Sequence, residues 1–215
     1  MKTLVTEQDI LKYIKEGKRS IALPKTAMLT PLAEDRIKSA GLIITNDQDE
    51  LKSNYVKDAF IANSSNTIVA IGCDHTGFKA KESTIKYLKN LRFKILDLGT
   101  YNENSCDYTD YASLVSQKII KNEAHFGILF DATGIPSAIT ANKYKGIRAA
   151  TCYNEFSSRS AREHNNSNLL VLGARTLGEE SIISILNVFI HSGFLGERHQ
   201  KRLNKIEQIE DKNFK

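Results

Sequence analysis

The chain has 215 residues, of which 41% are apolar and 26% charged, and it carries a formal charge of +5 with a pI near 9.0. These proportions describe a soluble globular protein with a real core, sized for one medium domain or one domain plus a small appendage. The mild basicity serves solubility or an anionic small substrate; no dense Lys/Arg block with interleaved aromatics occurs, which sets nucleic-acid binding aside.

At the N-terminus, "MKTLVTEQDILKYIKEGK" is too polar for a signal peptide. No apolar run along the chain approaches the roughly 20 residues that cross a bilayer, so no membrane association is expected. Thr6 can N-cap a helix, with Val5 and Ile10 as a hydrophobic staple around the cap and Gly17 as the stop. "SIALP" reads as a short strand. "TPLAEDRIKSAG" offers Thr30 as cap, Pro31 at the first helical position and Gly41 at the end. "LIIT" is another short strand. Residues 1–46 thus read as a small α/β extension with a thin core, and the polar residues 47–66 as a linker.

Over residues 67–215 strand and helix alternate. "TIVAIGC" is a continuous apolar run of the kind buried on both faces of a parallel sheet. "KAKESTIKYLKNL" is helical, with Ile85, Leu88 and Leu91 on one face. Then come strand "FKILDLG", helix "DYASLVSQKIIKN", strand "FGILF" and a helix through Tyr144. Strand "GIRAATC", helix "NEFSSRSAREHN", strand "NLLVLGA" and helical segments from "EESIISILNVFIHSG" onward complete the chain. This pattern predicts a Rossmann-like, doubly wound α/β domain with a five-stranded parallel sheet. The three cysteines, Cys73, Cys106 and Cys152, include no close pair. That argues against a disulfide framework or a zinc site, and fits a reducing, cytoplasmic location.

Ligands of such sheets sit beyond the C-terminal strand ends. There the sequence places Asp74 and His75, then Tyr101, Asp107 and Tyr108, then "DATGIP" with Asp131, Thr133 and Gly134. Tyr153 follows the fourth strand, with His164 and Asn165 further along its helix. Arg198 and Arg202 lie four apart on one helix face, a spacing suited to a phosphate clamp. Singly, each residue has a plainer role: Asp74 a helix cap, Asp131 a strand-end turn, His164 and Asn165 a helix C-cap, the arginines a solvated face. Gathered at one rim, they point to a phosphorylated small molecule.

The stretches "IGCDHTGFKAKE", "DLGTY", "DYTDYA", "GILFDATGI", "ANKYKGIRAA", "SAREHNNSNLLVLGAR" and "GERHQKR" together resemble the ribose-5-phosphate isomerase B family, which includes the subunits of galactose-6-phosphate isomerase. The resemblance spans about residues 67–207. It implies a homodimer or homotetramer with active sites shared across the dimer interface, and neither metal nor cofactor. It implies substrate contacts by Asp74, His75, Tyr108, Gly134 and Asn165. Thr133 with Gly134 would stabilise the enediolate, His164 open the sugar ring, and Arg198 and Arg202 hold the phosphate.

One loop departs from the pattern. Where typical ribose-phosphate members read "CGTGIG", with the cysteine as catalytic base in many of them, this chain reads "DATGIP". Asp131 replaces the cysteine, Ala132 a glycine and Pro136 another. A carboxylate is a competent base beside a carbonyl. Proline lacks an N–H, and one missing oxyanion donor costs on the order of 3 kcal/mol. "Asp-Ala" at this point resembles the A-type subunit of galactose-6-phosphate isomerase, which assembles with an unlike subunit. Two expectations follow: an aldose–ketose isomerase with Asp131 as base, ribose 5-phosphate/ribulose 5-phosphate being the default pair, or a sugar-phosphate-binding partner subunit in a hetero-oligomer with a paralogue. The N-terminal extension is similar to short segments of bacterial microcompartment enzymes, which implies a role in assembly or encapsulation; its plainer role is an accessory helix–strand lobe that packs on the dimer.

Overall fold

The computed structural model describes residues 4–15, 20–23, 27–45 and 66–214. The chain divides into two compact units, Met1–Asp58 and Ala59–Lys215. The helix stop expected at Gly17 and the linker expected from 47 lie outside the described residues, save for the linker's last residue, Asn66.

The first unit holds β1 (Leu4–Val5), α1 (Glu7–Lys15), β2 (Ser20–Ala22), β3 (Met28–Leu29), α2 (Pro31–Ala40) and β4 (Ile43–Thr45). Both helix starts follow from local chemistry. Asp9 reaches back to accept the Thr6 N–H at 2.8 Å, and the Thr30 hydroxyl accepts the Ala33 N–H at 3.3 Å. Val5 and Ile10, the expected staple, are both buried in a core with Ile21, Leu23, Ala33 and Ile37. The strands pair in parallel as β1–β3 and β2–β4. The pair β1–β3 carries no periodic signal in the sequence, because a two-residue strand is too short to show one.

The second unit is a five-stranded parallel sheet in the order β6-β5-β7-β9-β8. Its strands are β5 (Ile68–Cys73), β6 (Lys94–Asp97), β7 (Phe126–Asp131), β8 (Ala149–Thr151) and β9 (Leu169–Gly173). The helices are α3 (Phe78–Asn90), α4 (Tyr108–Ile120), α5 (Ile135–Ala141), α6 (Glu155–Glu163), α7 (Glu179–His191) and α8 (Glu197–Asn213). Strand side chains alternate between two cores, as the period of two requires. Val69, Ile71, Ile128, Phe130, Leu170 and Leu172 pack with Leu88, Ile185 and Phe189 of α3 and α7. Ala70, Leu129, Leu169 and Val171 face α4 and α5 through Val115, Ile119 and Ala141. Helices therefore cover both faces, which is why the central strands read as unbroken apolar runs. Among the described residues no helix is long and apolar enough to cross a membrane.

The strand order decides where a site can form. From β5 the chain goes to β6 on one side, then to β7 on the other. The direction of winding reverses there, and a crevice opens beyond the C-terminal ends of β5 and β7. Asp74 and Asp131 close those two strands. The Asp74 N–H donates to the Phe130 carbonyl at 3.1 Å, which carries the pairing one residue past the end of β5.

Candidate active site

At the switch point the loops are stiffened by their own carboxylates. Asp74 is 6% exposed, and its Oδ1 accepts the N–H groups of Thr76 (2.8 Å) and Gly77 (3.2 Å) and the Thr76 hydroxyl (2.6 Å). It caps a short 3-10 turn, His75–Gly77, that leads into α3. His75 is half-buried, with Nδ1 3.3 Å from both the N and the O of Cys106, so the ring joins the loops after β5 and β6. Tyr108 opens α4 just beyond, half-buried.

Asp131 does the same for the loop after β7, more thoroughly. It is 1% exposed. Its Oδ1 accepts the N–H of Thr133 at 2.8 Å and of Gly134 at 2.6 Å, and its Oδ2 accepts the Ser137 N–H at 3.1 Å. Gly134 has φ 82°, a left-handed conformation that glycine adopts without strain and that turns the chain into α5. The Thr151 hydroxyl fixes its carbonyl at 2.8 Å. Gly173 must also be glycine: a Cβ there would lie 2.5 Å from the Thr133 carbonyl oxygen. Tyr153, across from the loop, donates its hydroxyl to Thr133 O at 3.3 Å.

The remaining expected residues lie elsewhere. Helix α6 starts at the C-terminal edge of the sheet, after β8, and runs back to the N-terminal edge, where β9 begins. His164 and Asn165 end that helix, so they sit at the edge opposite Asp74 and Asp131. His164 is its C-cap residue, and Asn165 Nδ2 donates to the Ser160 carbonyl at 3.0 Å. The Leu195 N–H donates to Glu163 O at 3.0 Å, which brings the start of α8 to the same edge. His199 of α8 stacks on His164, with ring centroids 4.4 Å apart and planes 6° from parallel. Arg198 and Arg202 flank it and are exposed. The single rim expected from the sequence is thus two clusters. Asp74, His75, Tyr108, Asp131, Thr133 and Gly134 lie at the C-terminal edge; His164, Asn165, Arg198 and Arg202 lie at the N-terminal edge. The physical reason is that a helix starting at one edge of a parallel sheet carries its last residues to the other edge.

Two further neighbours carry no motif of their own in the sequence. His199 lies within "ERHQKR", where the basic run reads as a charged face. It is 6% exposed, and burial, then His164, Arg198 and Arg202, hold its pKa below the ordinary imidazole value. Arg175 donates its backbone N–H to Ala132 O at 3.0 Å, which sets an exposed cation beside the Asp131 loop. Its signal was its place just past the end of a central strand.

Residues 69–206 match the sequence model of the family described as Ribose/Galactose Isomerase. Ribose-5-phosphate isomerase B of Escherichia coli is 36% identical over 144 residues, 67% of this chain and 97% of that protein. The structure of a ribose 5-phosphate isomerase from Thermotoga maritima superposes with a TM-score of 0.65 at 45% identity, covering 66% of this chain and 99% of that one. The ribose-5-phosphate isomerase B of Mycoplasma genitalium, solved with bound ribulose-5-phosphate, superposes with a TM-score of 0.67 at 37% identity, covering 69% of this chain and 99% of that one. The family match falls within the second unit.

Proposed function

Because the chain belongs to the Ribose/Galactose Isomerase family, we propose that it works in the aldose–ketose isomerisation of a phosphorylated sugar, with ribose 5-phosphate and ribulose 5-phosphate as the pair. The Escherichia coli and Mycoplasma genitalium relatives, by their names, act on that substrate. The observation that carries the proposal is the separation of the site residues into clusters at opposite edges of one sheet. A single chain cannot close such clusters around one small molecule. A second chain can, by setting its own N-terminal edge against the crevice at the first chain's switch point. The minimal working unit is then a dimer with shared sites.

The reaction moves a proton between C1 and C2 of the open-chain sugar. It needs a ring-opening acid/base, a base at the migrating proton and donors for the enediolate oxygens. His164 has the imidazole suited to ring opening. Arg198 and Arg202, one helical turn apart and exposed, suit the phosphate. Asp131 would be the base in an assembly of identical chains, and it reaches a substrate only by leaving its amide partners.

That last point favours a second reading. With Asp131 buried and bonded to three backbone N–H groups, the chain suits the role of a partner subunit. It would contribute His164, Arg198 and Arg202 to a site whose catalytic loop comes from an unlike chain. The deciding experiment is isomerisation of ribose 5-phosphate by the purified chain alone, free of host isomerase, beside Asp131→Asn. Turnover lost in the variant supports the identical-chain enzyme. Binding of ribose 5-phosphate without turnover supports the partner subunit. Absence of both binding and turnover sinks the substrate assignment.

A further inference from the structure

From Thr133 to Ser137 the loop that leaves β7 has no amide to spare. Thr133 and Gly134 donate to Asp131 Oδ1, and Ser137 donates to Oδ2. Ile135 donates to the Thr133 hydroxyl at 3.3 Å. Pro136 has no N–H at all. Every N–H between Thr133 and Ser137 therefore ends inside the loop. Converging backbone amides of this kind form an anion-binding concavity. Here the anion is the chain's own carboxylate, 1% exposed.

We infer that Asp131 is the built-in occupant of this anion loop: its carboxylate fills the amide cradle and keeps it closed to the oxygens of a sugar phosphate or its enediolate. The inference rests on the sugar-phosphate reading above and sharpens its second form. Two effects act in the same direction. The donors that would stabilise a developing oxyanion are taken, and a fixed negative charge sits where that oxyanion would form. Each withheld oxyanion donor lowers turnover on the order of 10²–10³-fold. The cluster formed by His164, Arg198 and Arg202 is untouched by this closure, because it lies at the other edge of the sheet. The chain is then asymmetric in function: its C-terminal edge is closed on itself, and its N-terminal edge is open to another chain's substrate.

The test is NMR on the ¹⁵N-labelled full chain, following the amide signals of Thr133, Gly134 and Ser137. Inorganic phosphate and ribose 5-phosphate are added separately to the wild type, Asp131→Ser and Asp131→Asn. The serine hydroxyl is too short to span the cradle. In the wild type the three amides should stay unmoved by either ligand. In Asp131→Ser they should shift with both, and ribose 5-phosphate should bind about tenfold tighter as donors are freed. Wild-type amides that respond as strongly as the variant's, or variant amides that stay silent to both ligands, would overturn the inference. If ribose 5-phosphate binds no form but phosphate moves the Asp131→Ser amides, the loop inference stands and the substrate reading falls. Should Asp131→Ser fail to fold, Asp131→Asn decides. Its amide nitrogen replaces one acceptor oxygen, so faster solvent exchange at Thr133, Gly134 or Ser137 is expected, and unchanged exchange at all three would overturn the inference.

Discussion

His164 and His199 stack face to face at the N-terminal edge of the sheet, 4.4 Å between centroids and 6° from parallel. One comes from the end of α6 and the other from the first turn of α8, so the stack pins the C-terminal helix to the expected ring-opening histidine. Two stacked imidazoles cannot both carry charge cheaply, and Arg198 and Arg202 add to the positive field.

The pH dependence of stability follows. His199 has a folded-state pKa below its ordinary value of 6.5. Above that value the ring is neutral in both states and costs nothing. As pH falls through it, the unfolded chain takes the proton first, and stability drops until the folded pKa is passed. Thermal unfolding between pH 7.5 and 5 should show this loss, and His199→Phe should flatten it. An unchanged slope in the variant would assign the effect to other groups.

The proposed sharing of sites between two chains predicts complementation. His75→Ala and His164→Ala should each be inactive alone. Mixed in equal amounts and reassembled, half of the dimers are hybrids with one intact site in two, so about a quarter of the wild-type activity should return. No recovery, with exchange of chains verified, would place the whole site in one chain. If the wild type turns over only together with an unlike chain, His164→Ala should abolish the activity of that assembly and His75→Ala should spare it.

Lys81 is fully buried, and its ammonium bonds both oxygens of Asp97 at 2.6 and 2.7 Å. Burial works against the charge, but the Asp97 hydrogen bond and charge outweigh it and hold the Lys81 pKa above its ordinary value. Asp97→Ala leaves the ammonium an ion pair with Glu82, at 3.2 Å on the surface side, and the faces of the Phe78 and Tyr101 rings. Denaturant unfolding should show a loss of about 3 kcal/mol. Lys81→Met, which removes the buried charge and keeps the stem, should cost less.

Gly173→Ala tests the support of the Asp131 loop. The new Cβ would press on the Thr133 carbonyl and on the Thr176 hydroxyl. Overpacking of this kind costs about 1–3 kcal/mol. The displaced loop should also loosen the Asp131 amide bonds, read as faster hydrogen exchange at Thr133 and Gly134. A loss of stability with unchanged exchange would mean that the strain is absorbed at Thr176 instead.

The thiols should differ sharply. Burial pushes Cys73 up to about 12 and Cys152 up to about 11, so both stay protonated near pH 8. Cys106 is half-buried in the loop beside His75. A disulfide reagent should label one thiol per native chain, lost in Cys106→Ser, and all three after unfolding.

By itself the sequence determined the alternating strands and helices of the second unit, both caps of the first, and the family. Each is written locally: apolar runs for strands buried on both faces, Thr6 and Thr30 ahead of their helices, and motifs of fixed spacing. The same local chemistry made Asp74, Asp131 and the Thr-Gly turn legible as strand-end residues. Only the tertiary structure decided which of these residues share a space. Each helix that returns from the C-terminal edge carries its last residues to the opposite edge, so His164, although only eleven residues beyond Tyr153, lies a full strand length away from the crevice. Between a strand-end turn and a base, the role of the Asp131 carboxylate was likewise open in the sequence. A list of residues cannot tell whether an acid at a loop's mouth faces a substrate or turns back on its own amides, and here the positive φ of Gly134 and the close approach of Gly173 fold the loop around it.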